Sequence, residues 1–232
     1  MLLNFTDAAV DPLWKDLNLG LRRGEMIAVL GPNGVGKSTL LGTILGTRKL
    51  THGSVETKAR IGFIPQQRMF PRDLPLRSRD LVSLASAHGV FKKRRAAKGD
   101  VDKLLERVGA TGLADRRVGE LSGGQQQLIR QAQALATRPE VLLADEPLLS
   151  LDPGIQQRTV GLLGELRAEG IGQIIVTHDI NPLIRLVDRI LYLAPHGHTI
   201  GTVDEVMQSD RLSELYDAPV TVVRVDNRIV VV

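Results

Sequence analysis

The run GPNGVGKST places Gly31, Gly36, Lys37 and Ser38 in the spacing G-x-x-x-x-G-K-[ST]. Glycines at these positions let successive backbone N–H groups turn inward around phosphate oxygens. A following helix N-terminus adds the positive end of its dipole. Lys37 can reach the β- and γ-phosphates of a nucleotide, and Ser38 can offer its hydroxyl to Mg²⁺. The loop therefore comprises Gly31, Pro32, Asn33, Gly34, Val35, Gly36, Lys37, Ser38 and Thr39. A second set of chemical groups is Asp145-Glu146, delivered by the apolar run Val141-Leu142-Leu143-Ala144. Two acids at the end of such a strand suit a crevice in an open α/β sheet. Asp145 is placed to hold Mg²⁺, directly or through water. Glu146 is placed to polarise a water that attacks the γ-phosphate. A third run, Leu121-Ser122-Gly123-Gly124-Gln125, opens a helix and can grip an anion with its hydroxyl and amides; taken alone it reads more readily as a capped turn.

These groups need a frame. Residues 27–30 read as a strand entering the loop and residues 39–45 as the helix leaving it, which is the context the motif requires. Strands are also expected at 2–6, 17–21, 55–57 and 60–64, with a turn at Arg22-Arg23-Gly24. From residue 70 to 120 the pattern changes to helices. Ser78 can cap one carrying Leu81, Val82, Leu84 and Ala85. Asp100 can cap another with Val101, Leu104, Leu105 and Val108 on one face. Alternation then resumes: helix 125–136, strand 141–144, helix 155–169, strand 173–177, helix 182–186, strand 189–193. Alternating strands and helices predict a mostly parallel sheet covered on both faces. Residues 220–232 read as a closing β-hairpin turning at Asp226-Asn227.

Composition narrows the class. The chain has 232 residues, 43% of them hydrophobic, which is enough for a proper core. It has no cysteine, which excludes disulfides and cysteine-based zinc sites and suits a reducing compartment. The first residues carry no signal-peptide pattern, and no apolar stretch is long enough to span a bilayer. The net charge of +4 is spread along the chain, apart from the run Lys92-Lys93-Arg94-Arg95 with Lys98. That run is a solvated loop or a contact for lipid headgroups or a partner. Aromatic residues are only 3% of the chain, which argues against a base-stacking nucleic-acid surface.

The order GPNGVGKST, Gln66, LSGGQ, LLADEP, Ser150-Leu151-Asp152, His178 closely resembles the ATP-binding subunits of ABC transporters over nearly the whole chain. The resemblance implies the ABC ATPase fold. That is an α/β P-loop core with a mostly parallel sheet, an antiparallel β subdomain and a helical insert. It implies one domain over 1–232, with the helical subdomain at 70–120 and a hairpin tail at 215–232. It implies ATP and Mg²⁺, with the metal near Ser38, Gln66 and Asp145. Gln66 would sense Mg²⁺ and the attacking water, with its neighbour Gln67 a lesser candidate. Asp152 would communicate across a dimer, and His178 would contact the γ-phosphate. Leu121, Ser122, Gly123, Gly124 and Gln125 would cover ATP held by a second copy, in a head-to-tail homodimer. The family position for an adenine-stacking aromatic falls near Ala8; Phe5 and Trp14 are the nearest aromatics and neither is in register. The helix after LSGGQ carries Gln126, Leu128 and Gln133 where the family often has basic residues.

The implied partners are integral membrane permease subunits and an extracytoplasmic solute-binding protein, with no nucleic acid. The implied location is the cytoplasmic face of the plasma membrane, held there by the permease. The runs 176–182 (VTHDINP) and 215–220 (LYDAPV) are similar to the zinc/manganese importer group. Iron-siderophore and cobalamin importers are the alternative, and a soluble ABC ATPase the more distant one. The apolar residues Met69, Phe70, Pro71 and Leu74, beside Arg72, Arg77 and Arg79, read as core at the subdomain junction or, as the resemblance implies, as a groove that docks the permease.

Overall fold

A computed structural model describes residues 1–66, 69–86, 98–225 and 228–231. Gln67, the Lys92–Arg95 run and the Asp226-Asn227 turn lie outside the described residues. In chain order the elements begin β1 (Leu3–Val10), β2 (Trp14–Leu21), β3 (Met26–Leu30), α1 (Lys37–Ile44) and β4 (His52–Thr57). Next come β5 (Ile61–Ile64), α2 (Ser78–Ser86), α3 (Lys98–Arg107), α4 (Gly123–Ala136), β6 (Val141–Asp145) and α5 (Pro153–Ala168). The chain ends with β7 (Gly172–Val176), β8 (Arg189–Ala194), β9 (Gly197–Gly201), α6 (Val203–Val206), α7 (Ser209–Tyr216), β10 (Val222–Val225) and β11 (Arg228–Val231). Two compact units result. One joins Met1–Ala59 with Gly172–Val232, and the other is Arg60–Ile171.

In the first unit, β3 is apolar along its whole length and wholly buried, as a strand covered on both faces must be. It pairs in parallel with β7 and β8, and β9 runs antiparallel along β8. Its start is pinned from far along the chain. Met26 N donates to Asp188 Oδ2 at 2.9 Å, and Asp188 N donates to Met26 O at 2.9 Å. Arg189 Nε adds an ion pair to Glu25 at 2.7 Å. A separate antiparallel sheet has the order β2-β1-β4. Its strand β1 alternates buried Leu3 and Phe5 with exposed Asn4 and Thr6. A register shift after Phe5 coincides with the left-handed backbone of Asp7 (φ 44°), which Asn18 braces through Asp7 N and Oδ1. The hairpin β10–β11 closes the chain, with Ile229 buried in a cluster that includes Ile180, Tyr192, Met207 and Leu212.

In the second unit, β5 pairs in parallel with β6. Helices α2 and α3 pack on α4 and bury Val82, Val101, Leu105 and Val108. Helix α5 starts at Pro153 behind the cap Asp152, whose Oδ1 accepts Ile155 N at 3.0 Å.

Several local expectations change. Helix α3 begins at Lys98, so Asp100 sits in its first turn, where it complements the dipole instead of capping. Ser78 is the first residue of α2 and is buried. Its N and Oγ both donate to Arg116 O, at 3.0 and 3.3 Å, tying the helix start to a later loop. Residues 70–120 also carry one isolated antiparallel bridge, Arg77 with Arg117. The helix expected at 182–186 is only a 3-10 turn, Asn181–Leu183, because Pro182 can begin a turn but a segment this short has too few backbone bonds to sustain a helix. Strand β9 and helices α6 and α7 are additional to the expected elements.

Candidate functional site

The first unit carries the phosphate loop and His178. β3 ends at Leu30, and the loop turns through three glycines at positive φ: Gly31 (135°), Gly34 (87°) and Gly36 (97°). Close approach makes two of them obligatory. A Cβ on Gly31 would lie 2.0 Å from Leu193 O, and one on Gly36 would lie 2.9 Å from Trp14 Nε1. Gly34 faces open space, where a phosphate-sized group has room. Lys37 is buried to 7% exposure at the start of α1, and its Nζ donates to Gly31 O (2.7 Å) and Pro32 O (2.8 Å). Those two carbonyls hold the ammonium over the loop. Ser38 is exposed in the first helical turn. The loop thus offers a held cation, an exposed hydroxyl and no side-chain obstruction at Gly34. This donor set fits a nucleotide phosphate with its Mg²⁺.

His178 follows β7, exposed, behind buried Thr177. Thr177 N donates to Val29 O at 3.2 Å, which sets the residue at the same end of the sheet as the phosphate loop. Gly31, Pro32 and His178 share a cavity of about 460 Å³ whose other walls include Tyr192, Tyr216 and Ile229. Burial, and the 3.0 Å hydrogen bond with Tyr216, push the Tyr192 phenol well above its ordinary pKa, so the Tyr192 ring stays neutral.

The second unit carries the remaining predicted residues. Asp145 and Glu146 are buried at the end of β6 (8% and 5% exposed). Glu146 has φ 51°, and its carbonyl accepts Leu149 N at 3.2 Å. A left-handed non-glycine residue directly after a strand is uncommon, and here it turns the chain sharply at the carboxylate. Ser122 and Gln125 form a reciprocal capping box at the start of α4, with Gln125 N to Ser122 Oγ at 3.3 Å. A Cβ on Gly124 would lie 2.7 Å from Ile155 Cδ1 and 3.7 Å from Asp152 Oδ2. The structure therefore brings the Leu121–Gln125 turn against the Asp152 cap, an adjacency that sequence order does not reveal. Gln66 is exposed just after β5.

Two findings adjust the sequence reading. Phe70 is not an open docking residue: its ring lies 4.3 Å under the Arg130 guanidinium, and its N donates to Gln126 Oε1 at 2.9 Å. Gln126 is fully buried and also donates to Leu121 O, so it links the 70s segment to the LSGGQ turn. Met69 (60% exposed) and Pro71 are the outward residues of that patch. Trp14, the single tryptophan, is buried edge-on to Phe5 with its indole nitrogen against Gly36. Nothing in its spacing from the loop signalled this. Its emission should change saturably on addition of ATP with Mg²⁺, because the neighbouring loop must order around phosphate. An emission unchanged at ATP concentrations that calorimetry shows to be saturating would disprove the coupling.

Known proteins align with these features. Residues 14–149 match the ABC transporter family. The chain is 35% identical to the zinc import ATP-binding protein ZnuC of Cereibacter sphaeroides over 209 residues, covering 89% of this chain and 83% of that one. It is 33% identical to the molybdate import ATP-binding protein MolC of Haemophilus influenzae, covering 94% and 87%. Among solved structures, an inward-facing metal-chelate type ABC transporter superposes with TM-score 0.84 at 28% identity, covering 100% of this chain and 95% of that one.

Proposed function

This chain belongs to the ABC transporter family as an ATP-binding subunit that hydrolyses ATP to energise transport, and from that premise we propose that it drives import of a divalent metal ion of the zinc/manganese type. The observation that carries the ATPase reading is the loop Gly31–Thr39 with Lys37 Nζ held over it by two carbonyls. In this reading the loop binds ATP, and Ser38, Gln66 and Asp145 hold Mg²⁺. The metal supplies charge neutralisation for the phosphates. Glu146 takes a proton from the attacking water, and Gln66 orients that water. His178 donates a hydrogen bond to the γ-phosphate. A second copy, head to tail, contributes Leu121, Ser122, Gly123, Gly124 and Gln125, while Asp152 faces the dimer seam. The packing of Gly124 beside Asp152 supports that pairing of roles, since one shift would move both.

Among the described residues no helix is long and apolar enough to cross a membrane. Attachment to the cytoplasmic face is accordingly assigned to permease subunits, docked on the exposed Met69 and Pro71. A solute-binding protein delivers the cargo, which this subunit does not touch. The metal reading is supported by the runs at 176–182 and 215–220 and by the zinc-importing relative. A metal chelate is the second reading, favoured by the superposition over the whole chain. The test is ATP hydrolysis by the subunit assembled with its permease in vesicles and offered binding protein loaded with Zn²⁺, Mn²⁺, molybdate or a ferric chelate. Stimulation and uptake with Zn²⁺ or Mn²⁺ alone is the expected result. Stimulation only by molybdate or by a chelate would overturn the divalent-metal assignment.

A further inference from the structure

The loop that carries His178 is joined by side-chain hydrogen bonds to the last strand of the chain. Thr177 Oγ1 accepts Asp179 N (3.2 Å) and donates to Asp179 O (2.9 Å). Asp179 Oδ1 accepts both Asn181 N (2.9 Å) and Asn181 Nδ2 (2.7 Å). The Asn181 carboxamide then grips β11 at two points. Its Nδ2 donates to Ile229 O (2.9 Å), and its Oδ1 accepts Ile229 N (2.7 Å). A side-chain amide here takes the place of a neighbouring strand, satisfying both backbone groups of one residue. Ile229 is itself buried, packed among Ile180, Tyr192 and Met207. The grip therefore sits on a fixed anchor, with the shared cavity on its open side.

We propose that Asn181 is a positioning residue for hydrolysis: by clamping Ile229 it fixes the loop that presents His178, so that docking of the C-terminal hairpin sets the turnover rate. The inference rests on His178 contacting the γ-phosphate. Asn181 and Ile229 line the cavity beside Gly31 and Pro32 but lie outside the Gly31–Thr39 loop that grips the phosphates, so the larger effect falls on the chemical step and the smaller on binding. Misplacing a catalytic group without removing it lowers turnover by about tenfold or more.

The experiment is steady-state hydrolysis by the full chain. Asn181→Ala should lower kcat by about tenfold and leave ATP affinity within about twofold, as read by Trp14 emission. Asn181→Asp sets a carboxylate against Asp179 and should be as poor or poorer. The swap Asp179→Asn with Asn181→Asp lets the 179 amide donate to the 181 carboxylate but leaves Ile229 O without its donor, so it should recover only part of the Asn181→Asp loss. Wild-type turnover in Asn181→Ala, or equal losses of kcat and affinity, would overturn the proposal. A wild-type rate in His178→Ala would instead remove the premise, so the two failures are told apart. Amide exchange on the unmodified chain removes any dependence on variant folding. The Ile229 amide, held by Asn181 Oδ1, should be protected without nucleotide, and because the clamp spares binding a non-hydrolysable ATP analogue should leave its exchange within about twofold. An unprotected Ile229 amide would also reject the clamp.

Discussion

Glu146→Gln should cut ATP hydrolysis by about 10²–10⁴-fold, the range for loss of a general base, while ATP still binds. The substitution keeps the size and shape of the side chain in a site that is 5% exposed. It also keeps a residue type that can hold φ 51° as well as glutamate can, so the sharp turn after β6 survives. What is lost is the charge that, in the proposed role, accepts the water's proton. Because the phosphate loop is untouched, ATP bound between two copies should persist and hold them together. Gel filtration should show a monomer without nucleotide and a dimer with ATP and Mg²⁺. A variant that hydrolyses ATP within a few-fold of wild type would remove Glu146 from the chemistry.

Lys37→Ala should act earlier, on binding. The ammonium sits over the loop at 2.7 and 2.8 Å from Gly31 O and Pro32 O. Without it those carbonyls face the incoming phosphates with no intervening positive charge. Each hydrogen bond to a charged group is worth about 1.5–3 kcal/mol. Loss of one such bond corresponds to roughly ten- to a hundredfold weaker ATP binding. Turnover at accessible ATP concentrations should be close to background. Lys37→Arg should recover little, since a planar guanidinium cannot occupy the same compact seat between two carbonyls. Calorimetry reads the result directly, and unchanged affinity with unchanged turnover would refute the phosphate-loop assignment.

The contrast between these residues and Asn181 shows what a sequence makes legible. Gly31, Gly36, Lys37 and Ser38 are close neighbours, so their chemistry is written as local spacing. The strand β3 is likewise local, an apolar run that has to be buried. Asn181 and Ile229 are separated by 48 residues, and their bond depends on how the tail folds back. The same holds for Trp14 against Gly36, where a hairpin register decides the contact. Gly124 beside Asp152 is another such case. Ser78 and Asp100 misled in a different way: both residue types favour helix starts, but tertiary bonds to Arg116 and an earlier start of α3 overrode local preference. Phe70 was expected in the docking patch, and the Arg130 guanidinium that covers it comes from a helix sixty residues further along the chain.

The pinning of β3 by Asp188 has a consequence for how the molecule comes into being. The bond from Met26 to Asp188 spans 162 residues. At the usual pace of a ribosome that interval takes roughly ten to thirty seconds. For that time Met26–Leu30 is an apolar ribbon without its parallel neighbours β7 and β8, and the turn at Gly31 lacks the Leu193 carbonyl that shapes it. Nucleotide can therefore shelter the finished chain but not the growing one. A fragment ending before Asp188 should accordingly be poorly soluble and should bind no ATP, which sedimentation and calorimetry would read.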